Sequence, residues 1–277
     1  MLKRKIPWDR KPNRHAGIDW SNPLNKGTVF SCLFNQGSVI DDVGKSKATL
    51  AAGSYFSVTK DGKGLSSDAA SNSSYADFAN ADMPTITKEQ TFLIVFAPKF
   101  GSTDAGSAGF QSIFDTTSSN TEGIRVFWTD TLQWRFRLFA SSAVNCDATA
   151  TPFNSGDIIA LICRYNGVNM EVFQGGESLA TASQTGNYSN PIDDWRFGQD
   201  RQTPTNPESL NGTILFSNYW DRALSNAEIR SISINPYQLR QPRTQYFPTE
   251  AVAAPTFTGK SNPFYGPLGG PLHGVIA

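Results

Sequence analysis

Between residues 28 and 234 the chain repeats one pattern, a short apolar or alternating run followed by a turn of Asn, Gly or Ser. In LQWRFRLF (132–139), Trp134, Phe136 and Leu138 fall on one face, and Gln133, Arg135 and Arg137 fall on the other. A period of two places successive side chains on opposite sides of an extended backbone, so this run reads as a half-buried strand. VNMEVF (168–173) repeats the alternation with Val168, Met170 and Val172, and GIRVFW (123–128) and TILFSNYW (213–220) resemble it. TFLIVF (91–96) and IIALIC (158–163) are continuously apolar, as expected of strands covered on both faces. YNGV (165–168) and FQGGES (173–178) supply hairpin turns, because Asn-Gly and Gly-Gly reach positive φ at little cost. Charged residues are only 17% of the chain while Phe numbers 19 and Gly 23, which suits many short strands around an aromatic core better than a helical enzyme. The pattern predicts an all-β antiparallel sandwich or jelly roll in one domain.

One helix is expected. In RALSNAEIRSISINP, Ser225 followed three residues later by Glu228 forms a capping box. Ile229 and Ile232 share a face, and Pro236 ends the helix.

The ends have a different composition, and three zones are predicted. Residues 1–27 form an extended basic arm, 28–235 the sandwich, and 236–277 a Pro/Gly-rich arm. Residues 1–14 carry six basic side chains against Asp9 alone, a net of plus five, and the rest of the chain is acidic by the same amount. The second arm contains Pro236, Pro242, Pro248, Pro255, Pro263, Pro267 and Pro271, each of which fixes φ and removes a donor. Such arms are expected either to lie along another molecule or to be disordered, solvated tails, with an assembly favoured, and deleting residues 1–20 is expected to leave the sandwich's stability within about 1 kcal/mol while abolishing assembly. Trp20, Tyr237 and Leu239 flank the sandwich and are expected to pack together as a shared anchor for both arms.

Catalytic and metal-binding constellations are sparse. Both histidines, His15 and His273, fall in the arms, where they could not hold the geometry of a nucleophile–base pair or a zinc site. In GSVIDDVGKS (37–46), six residues separate Gly37 from Gly44, where a phosphate-cradling loop needs about four. The glutamates form no paired-carboxylate cluster of the kind used on sandwich glycosidase strands. Asp193-Asp194 reads as a turn ahead of a strand rather than a catalytic or calcium pair, and Asp41-Asp42, Asp68, Asp115, Asp157 and Asp200 read as turn aspartates. Cys32, Cys146 and Cys163 lack metal-ligand spacing and read as reduced thiols, with a Cys32–Cys163 disulfide as the lesser alternative. No window approaches the roughly 18 apolar residues of a membrane span, and the basic start lacks the apolar run of a secretory signal. Neither an enzyme nor a cofactor is expected, and zero net charge gives no indication of specific nucleic-acid binding.

LNGTILFSNYWDRALSNAEIRSISINPYQL (210–239) resembles the closing segment of laminin-G-like, or concanavalin-A-like, jelly-roll domains, with Gly212 and Ile214 leading through a strand to Arg222, Ala223, Leu224, Ser225, Glu228 and Ile229. IIALICRYNGVNMEVFQGG (158–176) is similar to the central hairpin of that family, although Gly156-Asp157-Ile158 stands where a tryptophan is usual. No calcium-binding aspartate matches residue by residue. The flanks GIDWSNPLNKG (17–27) and NPYQLRQPRTQYFP (235–248) look like those of versions carried by tailed bacteriophages. That resemblance implies a non-catalytic virion structural protein, made in the host cytoplasm and not secreted, that decorates the head or belongs to the tail or a fibre. Its implied partners are other virion proteins and further copies of itself. Lys3, Arg4, Lys5, Trp8, Arg10, Trp20, Tyr237 and Leu239 are the expected docking residues. The alternative is a lectin-like module for a host-surface glycan, stacking sugars on Trp128, Trp134 or Trp195, although core filling suits each of these and Trp220 better.

Overall fold

The computed structural model describes residues 2–6, 11–12, 16–35, 39–67, 74–85, 89–104, 110–117, 123–139, 143–184, 193–201 and 208–247, with the backbone alone for 2–6 and 243–247. Two antiparallel sheets face each other. One runs, in spatial order, β11 (Ala143–Thr149), β10 (Gln133–Phe139), β9 (Gly123–Trp128), β8 (Gln111–Asp115), β15 (Trp195–Phe197), β6 (Ala76–Phe78) and β3 (Thr49–Leu50). The other runs β14 (Glu177–Ser183), β13 (Asn169–Gln174), β12 (Ile159–Asn166), β7 (Glu89–Pro98), β16 (Gly212–Trp220), β5 (Gly62–Ser67) and β4 (Tyr55–Thr59), and β2 (Thr28–Leu33) pairs with the far half of β16. A helix, α1 (Asn226–Ile234), follows β16.

The alternation in β10 is realised, with Trp134, Phe136 and Leu138 in the core and Arg135 and Arg137 outward and half-buried. Gly175 and Gly176 at φ of 63° and 87° make the tight turn between β13 and β14. Val168 lies in the preceding hairpin turn and is exposed, so only Met170 and Val172 of that predicted face reach the core. β9 and β16 are buried on both faces instead of alternating. For β16 the cover is α1 and the segment after it. Leu215, Phe216 and Trp220 pack with Ile229, Ile232, Tyr237 and Leu239 in a second apolar cluster outside the eight-stranded sheet.

α1 carries the predicted capping box. The Ser225 hydroxyl accepts the Glu228 amide, and the Glu228 carboxylate accepts the Ser225 amide at 2.8 Å. The Arg222 guanidinium, bonded to Glu228 at 2.7 Å, is the main cause holding that carboxyl down at about 2.

The segments flanking the sandwich are more structured than their composition suggests. Ile18 and Arg240 form an antiparallel bridge, the Asp19 amide donates to the Leu239 carbonyl at 3.0 Å, and the Gln241 amide donates to the Gly17 carbonyl at 2.7 Å. The backbones of residues 17–19 and 239–241 thus lie side by side, but the anchor expected of Trp20 is not formed by that residue. That side chain is 61% exposed, whereas the fully buried Trp220 donates from Nε1 to the Leu24 carbonyl at 2.8 Å. Tyr237 and Leu239 are buried under α1. Lys11, Ala16 and Ile18 are buried as well, so the packed body reaches beyond residue 28, and deleting residues 1–20 would remove part of it.

The chain ends form a second compact unit, in which β1 (Leu2–Ile6) and β17 (Arg243–Phe247) pair into a two-stranded sheet. The two arms, expected to lie along another molecule, thus pair with each other over these residues. Local reading missed this because the strands are separated by nearly the whole chain.

Candidate functional site

The residues singled out from sequence separate into three groups. Trp128, Trp134 and Trp195 are fully buried and cannot form a sugar-stacking platform. Trp128 and Trp134 meet at 4.4 Å between ring centroids, and Trp195 meets Phe114 at 5.5 Å and Tyr219 at 5.4 Å between the sheets. Lys3, Arg4 and Lys5 lie on β1, opposite β17, while Trp8, Arg10, His15 and His273 fall outside the described residues. Of the remaining docking residues, Trp20 alone presents its side chain at the surface, with Tyr237 and Leu239 buried beneath α1.

Among the described residues, charged side chains gather on the outer face of the seven-stranded sheet. Register alignment places Asn145, Arg137, Arg125, Asp115, Arg196 and Asp77 in one row across β11, β10, β9, β8, β15 and β6. Arg196 grips Asp77 through two bonds of 2.8 Å and lies over the Tyr75 ring at 3.8 Å. Arg125 is buried between Asp115 at 3.6 Å, Asp200 at 3.4 Å and Glu208. Asp115 also accepts the amides of Thr117 at 2.7 Å and Arg201 at 3.1 Å. Burial pushes the Asp115 carboxyl up and the Arg125 guanidinium down, and each opposes the other's shift. Asp115 and Asp200, read from sequence as turn aspartates, are therefore buried members of an ionic network. Asp193 and Asp194 immediately precede β15, Asp193 pairing with Arg201 at 3.1 Å and Asp194 accepting the Asn80 amide at 2.9 Å.

The phenyl ring of Phe127 is the hub of this face. Arg125, Arg135 and Arg137 place their guanidinium carbons 4.5, 5.5 and 5.2 Å from its centroid, which buries an outward-facing aromatic under three cations. Asp147 chelates Arg135, with Nη2 to Oδ2 at 2.7 Å. Arg137 donates from Nε to the neutral Asn145 Oδ1 at 2.7 Å. Burial first, then the charges of Arg125 and Arg135, hold its pKa below the usual arginine value.

On the opposite sheet a cleft of about 380 Å³ opens beside the end of α1, lined by Lys60, Asp61, Val95, Ile158, Ala160 and Tyr237. Lys60 and Asp157 form an exposed ion pair of 3.3 Å at its side. Burial, and then the charge of Asp61, raise the Tyr237 phenol well above its ordinary range.

Lys11 and the three cysteines are further buried titratable groups. Lys11 donates to the Phe34 carbonyl at 3.1 Å, to Asn35 Oδ1 at 2.6 Å and to the Lys63 carbonyl, and burial pulls its pKa down to about 7. All three cysteines are free and buried, and burial raises each thiol, Cys146 to about 11. Among the described residues no group of three or more His, Cys, Asp or Glu is arranged to hold a metal, and no helix is long and apolar enough to cross a membrane.

No protein-family model matches this chain, and no curated protein matches it in sequence. Among solved structures, the binding domain of Paraclostridial Mosquitocidal Protein 1 is similar at a TM-score of 0.58 and 14% identity, over 77% of this chain and 53% of that one. The ligand-binding domain of botulinum neurotoxin serotype D, in complex with N-acetylneuraminic acid, gives 0.57 at 13% identity over 76% and 51%. The binding domain of botulinum neurotoxin serotype G gives 0.56 at 13% identity over 74% and 50%. The chain spans about half the length of these structures. At this identity the likeness shows the fold, a β-sandwich.

Proposed function

We propose that this chain is a non-catalytic binding module, a β-sandwich attached through its two ends to a larger assembly, and that the assembly is the virion of a tailed bacteriophage. The observation that carries the reading is the treatment of the ends. Residues 17–19 and 239–241 are hydrogen-bonded side by side, and within the terminal unit β1 and β17 pair with each other. An isolated two-stranded sheet is marginal in water, so a ribbon of this kind gains most from a neighbour that supplies a further strand or a covering face. The virion identity rests on the resemblance of GIDWSNPLNKG and NPYQLRQPRTQYFP to phage-borne flanks. Removing residues 1–6 and 244–277, the whole of the terminal unit, tests the proposal. The truncated chain is expected to keep its unfolding free energy within about 1 kcal/mol and to stay at the top of a density gradient in which the full chain sediments with virions. Truncated protein that still sediments with the particles overturns it.

A second reading, glycan recognition by the sandwich, is favoured by the similar fold solved with N-acetylneuraminic acid. It draws nothing from the buried tryptophans. A glycan array probed with the full chain tests it, and no bound glycan overturns it.

A further inference from the structure

We propose that Arg137 and the polar ladder around it, on the outer face of the seven-stranded sheet, bind the carboxylate of an acidic carbohydrate. The site rests on the glycan-recognition reading and gives it a location and a ligand class.

Arg137 on β10 lies directly opposite Arg125 on β9, a like-charge cross-strand pair that a sheet ordinarily avoids. Arg125 is neutralised by Asp115, Asp200 and Glu208, and Arg135 by Asp147. Among the described residues Arg137 has no carboxylate at ion-pairing distance, and its one protein acceptor is the neutral Asn145 Oδ1. Its Nη1 and Nη2 donors are left for an incoming acceptor. The guanidinium is already held in place, by that Nε bond and by the rings of Phe127 and Phe139 at 5.2 and 5.7 Å. A planar fork with free donors matches a carboxylate in two-point fashion, and holding it in place beforehand lowers the ordering cost of binding. Desolvation and two neighbouring cations already disfavour the charge on Arg137, and a bound anion opposes both effects.

The surroundings select a carbohydrate. Outward register pairs beside Arg137 are Arg135 with Asp147 and Gln133 with Thr149, an amide, hydroxyl and carboxylate ladder along the edge strand β11. Asn145, Asp147 and Thr149 are exposed, and the nearby aromatics Phe127 and Phe139 are buried. Such a surface offers hydrogen bonds to hydroxyl groups, with the aromatic rings beside it covered.

The test uses the full chain and two variants, Arg137→Ala and Asn145→Asp. The second gives Arg137 an internal carboxylate at an exposed position, so it is expected to keep the fold while displacing the ligand. Binding is measured by calorimetry with trigalacturonate, N-acetylneuraminic acid, the methyl esters of both, a neutral trisaccharide and a short poly-glutamate peptide. The expected result is binding of an acidic sugar that weakens about tenfold or more on esterification and in both variants, the range for a hydrogen bond to a charged group. Acidic-sugar binding unchanged in Asn145→Asp, or binding of the neutral sugar alone, overturns the site and leaves glycan recognition standing. No sugar bound in this panel overturns the site, and no glycan bound on the array overturns the recognition reading with it. Binding of the peptide alone assigns the surface to an acidic protein and overturns the carbohydrate class.

Discussion

Arg240 is the residue on which the closing segment of the sandwich depends. Its side chain is fully buried, its Nη1 donates to Asp42 and to the Ala16 carbonyl at 3.2 Å, and its guanidinium lies 4.9 Å from the Phe216 ring. It therefore links the segment after α1, the start of the packed body and the loop after β2. Arg240→Met keeps the length of the stem and removes the charge, which leaves Asp42 beside Asp41, whose carboxyl burial already pushes up. Breaking one partner of a buried ion pair costs about 3–5 kcal/mol, because the other charge stays buried without compensation. That is a large part of the roughly 5–15 kcal/mol that holds a domain folded. Urea unfolding followed by tryptophan fluorescence reports it directly, because Trp128, Trp134, Trp195 and Trp220 are all buried. With a urea slope of about 3 kcal/mol/M, the midpoint is expected to fall by about 1 M or more. The double variant Asp42→Leu with Arg240→Met is expected to recover most of the loss, since an apolar pair carries no desolvation cost. The sign of the pH effect follows from Asp41, whose carboxyl burial holds above its unfolded pKa and which interacts with the Arg240 charge. Removing that cation raises it further, so the penalty is present above the raised pKa and relaxes as pH falls through it. The gap between wild type and Arg240→Met is expected to narrow as pH falls from 7. A single variant within about 1 kcal/mol of wild type, or a gap that widens on acidification, refutes the reasoning.

Trp134→Ala is expected to cost about 3–5 kcal/mol of stability, as for a fully buried aromatic, whereas the exposed Trp20→Ala is expected to stay within about 0.5 kcal/mol, both read from urea midpoints. Glu228, held at about 2 mainly by Arg222, contributes stability that is present above its unfolded pKa of about 4.3 and lost as pH falls towards 2. Glu228→Gln is therefore expected to flatten the acid limb of a thermal unfolding series between those values. The native protein is expected to resist a thiol-reactive chromophore at pH 8, with all three cysteines reacting in denaturant, because each thiol is buried and its pKa raised.

The parts legible in the sequence were those whose signal is local. Alternation in 132–139 gave both faces of β10, and Ser225 with Glu228 gave the start of α1, because period and cap are properties of neighbouring residues. What depends on distant pairing was not legible. β1 and β17 are too short and too polar to stand out, and their partnership joins opposite ends of the chain. The charged row suffers from the same problem. Arg125, Asp115, Arg196 and Asp77 come from four strands, and only their register reveals that an apparent turn aspartate such as Asp115 is the buried partner of an arginine. Arg135 and Arg137 were visible as an outward pair on β10, but nothing local distinguishes the chelated arginine from the one held by an amide. Trp20 was misread for the converse reason. A large apolar residue in a polar stretch suggested an anchor, yet Trp220 occupies that role from the end of β16.

Site-specific cross-linking tests the attachment account most directly. A benzophenone photo-cross-linker is placed in turn at positions 4 and 245 on the paired ends, and at the exposed sandwich positions 58 and 168. Irradiated virions are then resolved by mass spectrometry. Adducts to another virion protein are expected from positions 4 and 245, with none from 58 and 168. Adducts from the sandwich positions alone contradict it.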